Sequence, residues 1–184
     1  RVSLAEVKRH DARMIGLNRM NDRLLSCETR EEAYAVIVRS ARRLFAWCSG
    51  GLAMLGEQDP PELRVVGTWG NDILPATFPL NQCWALRHGK LYQVTDSTPS
   101  AQCRHFSGSP PSAYLCLPLT VRGETHGLLH ISIGVGQTDE QLRELRTLAI
   151  AISESAKLAL SNIKLREALQ EQAIRDPLTG LFNR

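Results

Sequence analysis

Little in this chain commits it to nucleic acid, a membrane or a disulfide framework. Lys and Arg total 22 against 19 Asp and Glu, a net charge of +3, with no basic block or stripe. Nucleic acid is therefore not expected as the main partner, because such domains gather their cations on one face. No apolar run approaches the roughly 18 residues that a membrane span needs, so this stretch is expected to make no membrane contact. The N-terminus is charged and lacks the apolar core of a signal peptide. Five cysteines are present, Cys27, Cys48, Cys83, Cys103 and Cys116, an odd number without a CxxC pair. That usage fits reduced thiols in the cytoplasm. Aromatic residues are only 5%, and there is no internal repeat or low-complexity tract. What remains is a 43% apolar chain of 184 residues, enough for one core with appendages.

The apolar period separates the chain into segments. In residues 1–25, Leu4, Val7, Met14, Leu17 and Leu24 recur at helical spacing, which predicts a surface helix that packs on a domain or forms half of a dimer seam. Thr29 with Glu32 three residues on reads as a capping box for a second helix to about Phe45, with Ala33, Ile37, Ala41 and Leu44 inward. Gly50-Gly51 ends the helical signal, and the period changes to two. Strands are expected at 52–55 and 63–68, a short helix at 83–88 and a strand at 91–94. Residues 95–112, rich in Ser, Pro, Thr and Gly, read as a long loop, of the kind that is either functional or disordered. Two further strands, 113–121 and 125–133, are joined by a turn at Arg122–Glu124, and a helical pattern fills 139–175. The fold class expected is α+β: an antiparallel sheet with the N- and C-terminal helices packed on one face.

The last helix carries two stripes. Leu142, Leu145, Ala149, Ile152, Ala156, Ala159 and Ile163 suit packing on a sheet. Offset from them run Leu148, Ala151, Ser155, Leu158, Asn162, Leu165 and Leu169. The later part of this second stripe, Leu158, Asn162, Leu165 and Leu169, fits a coiled-coil seam with one polar position, which commonly sets a two-stranded register. The expected partner is a second copy of the chain; the plainer reading is one amphipathic helix covering a core.

The chain ends on RDPLTGLFNR. Asp176, Leu178, Thr179, Gly180, Leu181, Asn183 and Arg184 resemble the D-x-L-T-G-L-x-N-R signature that opens a GGDEF domain after a helical linker. The resemblance implies a diguanylate cyclase, whose modules meet in pairs to make cyclic di-GMP from two GTP. The segments that would hold GTP and Mg²⁺ are not among these residues, so no catalytic residue is assigned here. Those cofactors are expected only for the module that the motif begins.

The body resembles a GAF domain over about residues 27–160. The likeness rests on YLCLPLTVRGETHGLLHISIG at 114–134, where Leu117-Pro118-Leu119, Gly123, Gly127 and Leu129 match the family pattern. CWALRHGKLYQV at 83–94 resembles the short helix and strand of one bacterial subgroup. The organisation expected is an N-terminal helix at 1–26, the GAF sensor domain at 27–160, a coiled-coil linker at 161–175 and the start of the GGDEF domain at 176–184. GAF domains bind many ligands or none, so the fold does not name the ligand. Bilin-binding members carry an adjacent Cys-His pair, whereas here Arg104 separates Cys103 from His105. The NKFDE-type motif of cyclic-nucleotide binders is not evident.

Strand alternation suggests where a small molecule would sit. Odd positions from Ala113 to Val121 and from Gly127 to Ile133 are apolar, and a three-residue turn keeps equal parity on one face. The other face collects Tyr114, Cys116, His126, His130 and Ser132, with Cys83, Cys103 and His105 brought by the short helix and the loop. These eight residues are the candidate ligand pocket. Cys83, Cys103, His105 and Cys116 also make a conceivable thiolate/imidazole set, but their irregular spacing assigns no metal. Three readings stay open: a sensor of a small molecule that controls cyclic di-GMP synthesis, a ligand-free dimerisation scaffold, and a Cys/His metal or redox sensor.

Overall fold

Thr29 opens the second helix as expected. Its side chain accepts from the Glu32 amide, the Glu32 carboxylate accepts from the Thr29 amide, and the helix runs Arg30–Leu44. In the computed structural model, which describes residues 3–71, 74–95 and 101–174, this helix (α2) follows α1, Leu4–Leu25. Then come β1 (Ser49–Leu55), β2 (Glu62–Trp69), β3 (Thr77–Pro79), a 3-10 turn at Leu80–Gln82, α3 (Trp84–His88), β4 (Tyr92–Val94), β5 (Ala113–Val121), β6 (Glu124–Ile133) and α4 (Asp139–Ile174). The six strands form one antiparallel sheet in the order β3-β2-β1-β6-β5-β4. The α+β expectation holds, with α1, α2 and α4 on one face. The motif positions Asp176, Leu178, Thr179, Gly180, Leu181, Asn183 and Arg184 lie outside the described residues.

One core lies between the helices and the sheet. Ala33, Ile37 and Ala41 of α2 and Leu145, Ala149, Ile152, Ala156 and Ile163 of α4 are buried against Leu115, Leu117, Leu119, Leu129 and Ile131. Burying each Leu or Ile side chain contributes about 1.5–3 kcal/mol, so the first stripe of α4 is what holds the helix down. The helix α1 divides in two. Met20 and Leu24 join this core, whereas Leu4, Val7, Met14 and Ile15 stay exposed.

Three details depart from the expected pattern. Gly50 and Gly51 do not end an element but sit inside β1, where a side chain at Gly50 would run into the His130 carbonyl oxygen and the Trp69 ring. A short strand, β3, pairs with the edge of β2 at Leu63↔Phe78. The β5–β6 turn has two residues, Arg122 and Gly123, both with positive φ (51° and 83°), as a tight hairpin of this twist requires. A bulge just inside it then skips one residue, because Leu119 pairs with Gly127 but Thr120 with Thr125. Turn and bulge together restore the parity that a three-residue turn predicts, so Leu115, Leu117, Leu129 and Ile131 share the helix side.

A buried thiol and imidazole cluster under the loop

A second, smaller core fills the opposite face of the sheet. Ala53, Leu63, Phe78, Cys83, Ala85, Val94, Cys103, Tyr114, Cys116 and Leu128 pack there, with Phe106 and Trp84 against them. The functional residues arrive from four parts of the fold. Cys116 and Tyr114 point from β5 and His130 from β6, paired as Cys116↔His130 across the hairpin. Cys83 caps α3, a five-residue helix closed at Gly89, whose φ of 66° suits glycine. Cys103 and His105 come from the loop.

The loop reaches the sheet because its backbone is tied there. The Cys103 amide donates to the Tyr114 hydroxyl at 2.7 Å and the Arg104 amide donates to the Gln82 carbonyl at 2.9 Å. The Tyr92 hydroxyl donates to the Ala101 carbonyl at 2.7 Å, where Ala101 takes a φ of 69°. A non-glycine residue in that region is strained and needs such support.

The side chains meet at contact distance. Cys103 Sγ lies 4.0 Å from Cys83 Sγ and accepts from the Trp84 amide at 3.4 Å. Cys116 Sγ lies 3.4 Å from His130 Nδ1 and 3.9 Å from His105 Nε2. On its far side His130 Nε2 is 2.9 Å from Ser132 Oγ. Cys83, Cys103, Cys116, His105 and His130 are all buried. Phe78 stacks on His105 at 4.9 Å, and Phe106 lies 4.4 Å from His105 and 5.2 Å from His130. The cluster is therefore dry and polar at once. His105 Nδ1 is buried without a hydrogen-bond partner, an arrangement that costs about 1–3 kcal/mol when nothing satisfies it.

Charge is distributed unevenly among these groups. The neighbouring Cys116 and Cys83 thiols, against the cost of burial, hold the Cys103 thiol well below its ordinary range. Its partners move the other way: hydrogen bonding to Cys103, with burial, pushes Cys83 up to about 12. Burial first, then hydrogen bonding to Cys103, raises Cys116. Burial, then the neighbouring His105, lowers His130 to about 3, so it is a neutral imidazole. A neutral ring has one donor and one acceptor nitrogen, and His130 uses both, one toward Cys116 and one toward Ser132.

Seven of the eight sequence candidates gather here: Cys83, Cys103, His105, Tyr114, Cys116, His130 and, at the rim, Ser132. His126 does not. It is the residue skipped by the bulge, and it lies toward the hairpin end near Lys164, Glu124 and Arg30. Strict alternation put it in the cluster, and the extra residue takes it out. Phe78 and Phe106 belong to the site but carry no sequence signal, since both stand in segments without a period. The face expected to hold a ligand is filled by the protein's own side chains.

A family model described as GAF domain matches residues 29–155, well over half of the chain. No curated protein matches it. Among solved structures, the free methionine-R-sulfoxide reductase of Neisseria meningitidis, in complex with its substrate, is 20% identical; the match covers 83% of this chain and 89% of that one, with a TM-score of 0.62. The GAF domain of a phosphoenolpyruvate-protein phosphotransferase from Coxiella burnetii is 12% identical, over 85% and 96%, with a TM-score of 0.63. The A. aeolicus NLH2 GAF domain in an inactive state is 15% identical, over 84% and 96%, with a TM-score of 0.62. At these identities the structures speak for the fold alone, and they agree with the family match and with the six-stranded sheet flanked by helices: the chain belongs to the GAF domain family.

Proposed function

We propose that this chain is the sensory and dimerising part of a cytoplasmic diguanylate cyclase. One observation carries the reading. The 36-residue helix α4 is built into the core through Ile163 and runs on past it, and along its other side Leu158, Leu165 and Leu169 are exposed at 64%, 59% and 56%. An isolated helix in water is marginal, and leucines at seam spacing ask for a partner helix. The partner proposed is α4 of a second copy. The motif of residues 176–184 follows directly, so a change at the sheet face would reach the output module as a change in how two α4 helices meet. A signal shifts that balance only by its difference in affinity for the two arrangements. GTP and Mg²⁺ belong to the output module.

The test is a protein in which these residues run on into the module that the motif begins. Cyclic di-GMP made from GTP, at a rate that changes when Leu165→Glu splits the seam, supports the reading. No product from an extended protein with an intact GTP loop removes it. The filled sheet face favours a second reading, a scaffold that dimerises the output without any ligand. A thermal-shift and native mass-spectrometry screen separates the two, because the scaffold binds nothing.

A further inference from the structure

The buried cluster deepens the sensory reading, on which the regulatory meaning of this inference rests, by pointing to the chemistry of what is sensed. We propose that Cys83, Cys103 and His105 bind one divalent cation of the zinc class, with Cys116 drawn in from the adjoining triad as its fourth ligand and His130 as the residue that positions Cys116. The ligand atoms of Cys83, Cys103 and His105 lie within 4.8 Å of one another, as do those of His105, Cys116 and His130. The two triads share His105.

Distances favour a shared ion over a network of thiols. With metal–sulfur bonds of about 2.3 Å and metal–nitrogen bonds of about 2.0 Å, the edges of a tetrahedron are about 3.8 Å between sulfurs and about 3.5 Å from sulfur to nitrogen. The 4.0 Å Cys83–Cys103 edge and the 3.9 Å Cys116–His105 edge are within a few tenths of these. A disulfide needs about 2.05 Å, so Cys83 and Cys103 are not bonded. Independently, His105 is buried with Nδ1 unpartnered. With Nε2 on the ion, Nδ1 carries the ring proton, so binding fixes the tautomer of this buried ring.

The surroundings suit a closed site. Phe78, Phe106 and Tyr114 shut out water around the two imidazoles. Three thiolates, one neutral imidazole and a divalent ion leave one negative charge. The Trp84 amide already donates to Cys103 Sγ, and His130 Nδ1–H donates to the Cys116 thiolate while Nε2 accepts from Ser132. This orientation of a ligand by its hydrogen-bond partner is how outer residues tune metal sites. The four ligands come from α3, the loop and β5, so the ion ties the 101–112 loop to the sheet. Its release loosens that loop, leaving the hydrogen bonds to Tyr114 and Gln82 to hold it.

The experiment uses the whole 184-residue chain purified under reducing conditions. Elemental analysis is expected to find about one zinc per chain. After stripping, cobalt is expected to restore one equivalent, with a thiolate charge-transfer band and the visible bands of a tetrahedral ion. Cys103→Ser and His105→Gln are expected to lose the ion, His126→Ala to keep it, and His130→Asn to weaken it about tenfold in a chelator competition. The wild-type cobalt spectrum reads thiolate ligation without any substitution, so a variant that fails to fold does not decide the matter. A chain that takes up no cobalt, a Cys83–Cys103 disulfide, iron with acid-labile sulfide, or full metal content in Cys103→Ser overturns the proposal. These readouts do not involve cyclic di-GMP. A metal-free chain whose extended form still makes cyclic di-GMP removes this inference alone, and a metal-bound chain without that product removes only the cyclase reading.

Discussion

Tyr114 joins the second core to the loop through a single atom. Its hydroxyl accepts from the Cys103 amide at 2.7 Å inside the protein, so Tyr114→Phe leaves a buried N–H without a partner. The expected loss is about 1–3 kcal/mol in denaturant unfolding, with faster amide exchange confined to residues 101–106. A uniform rise in exchange over the sheet would contradict this assignment. At this scale much of the site is legible in the sequence. Cys103-x-His105 in a polar loop and the even residues of two strands are enough to bring Tyr114, Cys116 and His130 together. His126 is misjudged, because a one-residue bulge leaves no mark in a pattern of alternating polarity. Gly50 is misjudged too: its smallness serves a close approach to the His130 carbonyl, not a break in the chain.

Among elements, α1 and α4 show how unequal forces set a boundary. Apolar contacts hold α1 only from Leu17 to Leu24. Farther out, an exposed ion pair, Arg13 Nη1 to Glu144 Oε2 at 2.5 Å, links it to α4. The hydrogen bond from Arg13, more than its charge, lowers the Glu144 carboxyl below its usual value. A depressed carboxylate contributes stability above its unfolded value and loses it as pH falls through the folded one. Because both groups are partly exposed, the contribution is expected to be about 0.5 kcal/mol or less. The sharper readout is the titration of Glu144 by NMR. Its midpoint should rise toward the ordinary value of about 4.3 in Arg13→Ala, and an unchanged midpoint would dismiss the pair. Helix boundaries are well legible here, since the capping box at Thr29 and the first α4 stripe each have a local cause. The strand β3 is not: three residues, Thr77–Pro79, are too few for a period, and their pairing is decided by the free edge of β2.

For the molecule as a whole, the surface that matters is the uncovered side of α4 beside α1. Asn21, Leu24, Leu25, Leu158, Asn162 and Leu165 line a groove there of about 500 Å³. Under the dimer proposed above, Leu158→Glu and Leu165→Glu are each expected to yield monomers in analytical ultracentrifugation while leaving the circular dichroism spectrum unchanged. A variant that stays dimeric would move the interface elsewhere. No helix among the described residues is long and apolar enough to cross a membrane.

The unbroken course of α4 has a consequence for anything fused beyond it. Thirty-six residues make a rod about 54 Å long, and each residue turns it by about 100°. The far end of α4 is thus held at a set angular phase to the sheet. Under the cyclase reading proposed above, inserting residues after Leu169 one at a time should make cyclase output oscillate, recovering roughly every seven insertions. A monotonic decline would mean that length, not rotation, carries the message.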